Sequence, residues 1–154
     1  MTEILFYHLE RKSLDAVLPG LIEKSLERNW RVLVRAESAE RAEAIDNLLW
    51  TYDEQSFLPH AQKGEGEAAD QPVLITTEED NANGANILFL VGGAPPPAWN
   101  SAFTGALARV VLLFDGRDPA SLDAARAAWR GAREAGHDVT YWKESAAGKW
   151  EKQG

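Results

Sequence analysis

The sequence contains no cysteine. This absence excludes disulfide frameworks, zinc sites built from thiolates and cysteine nucleophiles. It also agrees with a reducing compartment, and we expect a cytoplasmic protein. A chain of 154 residues, 45% of them hydrophobic, is long enough to form one apolar core without such cross-links.

Long apolar runs and an excess of basic residues are missing as well. No run approaches the roughly 18 apolar residues of a membrane-spanning helix, and the N-terminus lacks the basic start of a signal peptide. Sixteen lysines and arginines stand against 24 aspartates and glutamates, which gives a formal net charge of −8. This charge opposes general binding to nucleic-acid backbones. We expect no membrane contact and only indirect contact with DNA.

Short apolar runs alternate with amphipathic segments along most of the chain. This alternation predicts an α/β fold with a largely parallel sheet and helices on both faces. In the first helical segment, at 13–29, Pro19 predicts either a late start of the helix or a bend. Strands are predicted at 4–9, 32–34, 73–76, 87–91, 110–114 and 139–142. Helices are predicted at 13–29, 39–50, 99–107 and 119–135, with Ser38 as a cap and Gly136 as a terminator.

No recognisable catalytic motif is present. Residues 64–69, Gly-Glu-Gly-Glu-Ala-Ala, formally match the dinucleotide pattern G-x-G-x-x-G/A, but no strand precedes them, and Glu65 and Glu67 would repel phosphates. The sequence has neither a P-loop nor a G-x-S-x-G elbow. Its three histidines show no paired metal-ligand spacing. We expect no catalytic residue, no cofactor and no metal.

Trp50 ends a predicted helix and is followed within ten residues by Phe57, Leu58 and Pro59. Exposed aromatic, aliphatic and proline groups in one cluster are typical of a protein-binding surface. Alternatively, Trp50 and Phe57 fasten the long loop to the body of the domain. Composition does not separate these two interpretations.

The last predicted helix carries a basic stripe. Arg126, Trp129, Arg130 and Arg133 stand at i, i+3, i+4 and i+7, so they project from one face. Arginine forks bind carboxylates, and an indole beside them offers an apolar wall. The stripe therefore fits an acidic peptide with a hydrophobic end. The alternative is a solvated arginine face with Trp129 turned toward the core.

Several separate blocks of the sequence resemble the chi subunit of bacterial DNA polymerase III. The resemblance runs from the first predicted strand to about Lys143. Its blocks are Phe-Tyr-His-Leu at 6–9, Leu-Leu-Trp-Thr-Tyr at 48–52, Phe-Leu-Pro-His at 57–60, Gln-Pro-Val-Leu-Ile at 71–75, Ala-Arg-Ala-Ala-Trp at 125–129 and Ala-Gly-His-Asp-Val-Thr-Tyr-Trp at 135–142.

The resemblance implies a Rossmann-like three-layer domain over residues 1–143, without a nucleotide site and with a loose tail at 144–154. It also implies a non-catalytic accessory subunit of a DNA-directed DNA polymerase, a nucleotidyltransferase complex active in DNA replication. Chi subunits connect the clamp loader to single-stranded DNA-binding protein by gripping its acidic tail, which ends in Pro-Phe. By this resemblance Arg126 is the tail-binding arginine, Trp129 lies in the same pocket, and Arg130, Arg133 and Gly136 belong to the same segment.

One position departs from the family pattern. Some members carry a lysine one turn before the arginine, whereas this chain has Leu122. The site is therefore either less basic or borrows Arg117.

The family's second surface binds the psi subunit or a competing helicase, and it resembles Trp50 with Phe57, Leu58 and Pro59. These two surfaces together indicate an adaptor between the clamp loader and single-stranded DNA-binding protein. Two alternatives to this adaptor hypothesis remain. One is a small nucleotide-binding α/β enzyme, and the other is direct binding of single-stranded DNA through the arginines and tryptophans.

Overall fold

Strands and helices alternate along the part of the chain that the structure describes. The computed structural model describes residues 2–51, 60–62, 71–79, 81–147 and 149–153. Its elements are β1 (Glu3–Leu9), α1 (Leu14–Glu27), β2 (Val32–Arg35), α2 (Ala39–Thr51), β3 (Ala61–Gln62), β4 (Val73–Thr76), β5 (Ile87–Leu90), α3 (Ala102–Gly105), β6 (Arg109–Asp115), α4 (Pro119–Glu134), β7 (Asp138–Glu144) and β8 (Trp150–Gln153).

The strands form one sheet in the order β3-β4-β2-β5-β6-β1-β7-β8. Neighbouring strands are parallel except for β7 and β8, which pair antiparallel. Helices cover both faces, so the predicted Rossmann-like α/β class with a largely parallel sheet is confirmed.

Two apolar cores lie on the two faces of the sheet. Because side chains alternate along a strand, Val32 and Val34 of β2 join one core and Leu33 joins the other. The first core includes the buried residues of α1 and α2, and the second includes those of α4. In β6 both faces are buried, which explains its uninterrupted apolar sequence.

Side-chain caps fix the starts of the three long helices. The Ser13, Ser38 and Asp118 side chains accept backbone N–H bonds at the starts of α1, α2 and α4. Since α1 already begins at Leu14, the late start considered at Pro19 is wrong, and the proline lies inside the helix. At the other end of α4, Gly136 has a φ of +87°, as predicted for the terminator.

The C-terminal segment differs from the predicted loose tail. Residues 150–153 form β8, whose Trp150 is the register partner of Glu144 in β7. The Trp150 ring packs edge-on against Tyr7 of β1, with ring centroids 4.9 Å apart. One apolar residue among polar neighbours gives no alternating strand pattern, so the sequence alone does not indicate this pairing.

Within the described ranges, no helix is both long and apolar enough to cross a membrane. The same residues contain no group of three or more side chains suited to hold a metal ion.

Candidate functional site

The predicted basic stripe lies on α4, and the sequence of this helix explains its orientation. Ala125, Ala128 and Ala132 are buried against the sheet. Small side chains let the helix approach closely, and this leaves the stripe on the outer side. The structure thus brings Arg126, Arg130 and Arg133 together as exposed residues on one helix.

Trp129 lies at the boundary between the stripe and the core. Its ring is half-buried and packs at the edge of the second core, beside α4's alanines. The guanidinium carbon of Arg133 lies 4.8 Å from the ring centroid, within cation–π range. Trp129 is therefore neither fully exposed nor fully buried. One part of its side chain anchors α4 to the second core, and another part contacts the exposed Arg133.

Arg126 is largely available to a ligand. Its nearest recorded carboxylate is Asp123 at 3.9 Å, with side-chain exposures of 62% and 79%. An exposed contact of this length contributes little stability. An incoming carboxylate can therefore replace Asp123 at small cost.

A polar pair near Arg126, formed by His8 and Tyr141, was not predicted from the sequence. The Tyr141 hydroxyl lies 2.6 Å from Nδ1 of the buried His8, where parallel β1 and β7 meet. Burial raises the pKa of Tyr141 and lowers that of His8, and the nearby charge of Arg126 acts on both in the lowering direction. The sequence places His8 and Tyr141 in two predicted strands, but it does not give the pairing of these strands, so it does not predict this contact.

Leu122, which stands where some family members have a lysine, and Arg117, which could replace that lysine, both make other contacts. Leu122 is half-buried and packs against the second core. Arg117 donates backbone and side-chain hydrogen bonds to Asp115, at 2.9 and 3.1 Å, and these bonds lower the pKa of that carboxyl group. Arg117 is therefore already paired at the turn before α4.

The C-terminal end of the stripe is held by a second set of contacts. Gly136 donates its N–H to the carbonyl of Arg133 at 3.0 Å. The next residue, His137, has Nε2 2.6 Å from the carbonyl oxygen of Trp99. These contacts fix the end of α4 and hence the direction of the exposed arginines.

The predicted second surface is described only in part. Trp50, at the end of α2, is 51% exposed, and its ring lies against His60 with centroids 4.5 Å apart. The buried His60 has Nε2 3.0 Å from a carboxylate oxygen of Asp46, also on α2. Phe57, Leu58 and Pro59 lie outside the described residues.

A crevice of about 760 Å³ opens at the carboxyl ends of β1, β5 and β6. Open α/β sheets usually bind ligands at such an edge, where α1 and α4 leave neighbouring strands toward opposite faces. Here the Ser13 and Asp118 caps already engage N–H groups at the two helix starts. The charged lining residues are Lys12, Asp15, Glu37, Arg41, Asp115, Arg117 and Asp118. The lining thus has four acidic and three basic side chains, a balance that does not favour a phosphate ligand. Residues 64–69, which formally match the dinucleotide pattern, lie outside the described residues.

The fold and the α4 surface define a Rossmann-like α/β protein whose most distinctive exposed feature is an arginine and tryptophan face. The family model of the DNA polymerase III chi subunit, HolC, matches residues 1–140. The chain belongs to this family, and the resemblance found in the sequence is confirmed.

Two relatives bear chi-subunit names. The chain is 30% identical to a probable DNA polymerase III subunit chi of Rickettsia prowazekii (strain Madrid E) over 91 residues, 59% of this chain and 55% of the relative. It is 35% identical to the DNA polymerase III subunit chi of Escherichia coli (strain K12) over 83 residues, 49% of this chain and 56% of the relative. The match thus spans about half the length of these curated relatives.

Proposed function

We propose that this protein is a non-catalytic accessory subunit of the DNA polymerase III complex that links the clamp loader to single-stranded DNA-binding protein. The observation that carries this proposal is the face of α4, where Arg126, Arg130 and Arg133 are exposed beside Trp129. Membership in the chi-subunit family supports the same function.

The chemistry of this face fits an acidic tail that ends in a hydrophobic residue. Arginine binds carboxylates with two parallel N–H bonds, and the half-buried indole supplies an adjoining apolar surface. The overall charge of −8 disfavours long anionic polymers, whereas a short tail contacts only the local basic stripe. Binding should weaken with added salt, because exposed charge pairs are screened.

Replacing Arg126 by alanine should weaken tail binding at least tenfold, since a hydrogen-bonded charge pair contributes about 1.5–3 kcal/mol. The measurement is isothermal titration with a peptide that copies the C-terminal residues of single-stranded DNA-binding protein from the same organism. A second peptide without the final phenylalanine tests the apolar contact. Within the described residues, the ion pair of Arg126 with Asp123 is long and exposed, so the variant should keep its melting temperature.

Arg41→Ala is the matched control for this experiment. Arg41 is an exposed arginine of α2, on the other face of the sheet. This variant should bind the tail peptide as the unmodified protein does. Equal affinity of Arg126→Ala and Arg41→Ala for the tail would contradict the assignment of the site.

We further propose that Trp50 docks a second protein, either the psi subunit or a helicase. Its half-exposed ring is held from below by His60, which Asp46 orients, so the indole is presented rigidly to a partner. Such preorganised aromatic residues often dominate interface energies.

Trp50→Ala should therefore weaken partner binding by about 2 kcal/mol, roughly thirtyfold, without affecting tail affinity. Surface-plasmon measurements with purified psi subunit or helicase from the same organism would test this. Glu40→Ala, a change at an exposed residue in the first turn of α2, at the other end of the helix from Trp50, serves as the control. Unchanged affinity of Trp50→Ala for both partners would overturn this assignment.

A further inference from the structure

A second groove lies on the opposite face of the sheet from α4. Its volume is about 450 Å³, within the range of small-ligand and side-chain pockets. One wall is the C-terminal half of α1, including Leu21, Lys24 and Arg28, and the floor is formed by Ile87, Phe89 and Val111 of β5 and β6. The floor is buried and apolar, so it suits a bulky apolar side chain.

The far side of the groove is aromatic. Tyr7 lines it, and Trp150 packs edge-on against Tyr7. Trp142 is the register partner of Tyr7 and lies on the same face. All three rings are half-buried at the border of the first core. Tyr7 therefore borders the groove, and Trp142 and Trp150 lie behind it on the same face of the sheet.

The rim of the groove is cationic on an otherwise acidic protein. Lys24, Arg28 and Arg109 line it, against Glu27 as the one acidic lining residue in the described part of the chain. Arg109 is paired with Glu3, whereas no described carboxylate lies within ion-pair distance of Lys24 or Arg28. The guanidinium carbons of Arg28 and Arg109 lie 4.6 and 5.2 Å from the ring centroid of Trp30. Stacking on the indole holds both arginines at the groove, and it leaves the N–H groups of Arg28 open to a carboxylate.

We propose that this groove is a second peptide-binding site, which takes an acidic internal segment of a partner protein and buries one aromatic or large aliphatic side chain of it. Charge complementarity selects the acidic flanks, because Lys24 and Arg28, which have no ion pair with a described carboxylate, border the floor. The volume of the groove and the apolar character of its floor select the bulky side chain. This site is separate from the tail surface in position and does not depend on its function.

A nucleic-acid strand fits the same groove less well. Strand binding needs a continuous basic track and open ring faces for base stacking, but the Trp30 face is covered by two guanidinium groups. The net charge of −8 would also repel the phosphates that lie beyond three local cations. A short acidic peptide avoids this repulsion because it ends within the rim.

The test is a titration followed by ¹H–¹⁵N NMR, with the indole signal of Trp30 assigned from Trp30→Phe. The probe is the blocked pentapeptide acetyl-Asp-Asp-Phe-Asp-Asp-amide, which has no free terminal carboxylate. We expect it to shift the Trp30 indole signal and the amides of Lys24, Ser25 and Arg109. The Lys24→Ala/Arg28→Ala double variant should bind at least tenfold more weakly, and Arg41→Ala, at an exposed arginine of α2, should bind unchanged.

Two further probes separate the sources of binding. Replacing the phenylalanine of the peptide by alanine, or its aspartates by asparagines, should each weaken binding at least fivefold. Shifts confined to α4, equal binding of the alanine peptide, or no shift at millimolar peptide would each overturn the proposal. An unlabelled single-stranded oligonucleotide that shifts Trp30 more strongly than the peptide does would overturn it in favour of nucleic acid. Tail binding is tested separately, with the tail peptide and Arg126→Ala. A negative result for the groove therefore does not change the result for the tail surface, and the reverse also holds.

Discussion

Replacing Glu144 by alanine should lower the free energy of unfolding by about 3 kcal/mol, because three backbone N–H groups in part-buried hydrogen bonds lose their acceptor. Oε1 of Glu144 accepts N–H bonds from Glu10, Arg11 and Lys12, at 3.3, 2.9 and 3.1 Å. The side chain is only 3% exposed, so water does not readily replace it. This carboxylate joins the end of β7 to the turn between β1 and α1, and urea unfolding measures its contribution.

The same contacts predict how stability depends on pH. Burial by itself would raise the pKa of Glu144, but the three N–H bonds, helped by the charge of Lys12, hold it below the ordinary value of 4.5. A depressed pKa contributes stability that is fully present above about pH 4.5 and is lost as the pH falls through the folded-state value. The stability difference between the unmodified protein and Glu144→Gln should therefore shrink in acid.

Glu144→Gln and Glu151→Gln complete this experiment. The glutamine amide oxygen still accepts hydrogen bonds, but without charge assistance, so this variant should lose roughly half as much stability as Glu144→Ala. Glu151 lies exposed on β8, and its replacement should change stability by less than about 0.5 kcal/mol. A loss at Glu144 no greater than that at Glu151 would show that the carboxylate does not hold the turn.

Gly116→Ala should destabilise the protein by up to about 3 kcal/mol, through overpacking. A Cβ at this position would overlap the imidazole of His8. That ring has little room to move, since it is 7% exposed, lies 2.6 Å from the Tyr141 hydroxyl and packs on Phe114 with ring centroids 5.1 Å apart. Thermal and urea unfolding would both report the loss.

Gly20→Ala is the matched control for Gly116→Ala. Gly20 lies inside α1 with no neighbouring atom within 4 Å of an added Cβ, so alanine should stabilise the helix by about 0.4–1 kcal/mol. In a His8→Ala background, Gly116→Ala should cost far less than in the unmodified protein. Additive effects of the two changes would mean that the ring and the glycine do not contact each other.

Much of the fold follows from local patterns in the sequence. The run at 110–114 and its neighbours predict buried parallel strands, and Ser38 and Gly136 mark helix ends that the structure confirms. Periodicity fails at β8, where the pairing partner and the Trp150 contact with Tyr7 decide the structure. The sequence of a strand only four residues long does not indicate such long-range contacts.

The candidate site is predictable to the same extent. Helical spacing alone places Arg126 beside Trp129, Arg130 and Arg133, because these positions lie on one helix. It does not place His8 next to Tyr141, since 133 positions separate them and only the parallel register of β1 and β7 brings them together. The structural role of Glu144 is likewise not predictable from the sequence, because the three backbone N–H groups that it binds lie near the other end of the chain.

The positions of α2 and α4 on opposite faces of one sheet have a consequence for assembly. The two proposed partner surfaces, at Trp50 and at Arg126, therefore lie on opposite sides of the sheet, and occupancy of one would leave the other open. Where both partners belong to one assembly, two modest affinities would add as avidity, because binding at one surface raises the effective concentration at the other. Release at one surface would then leave the protein attached at the other.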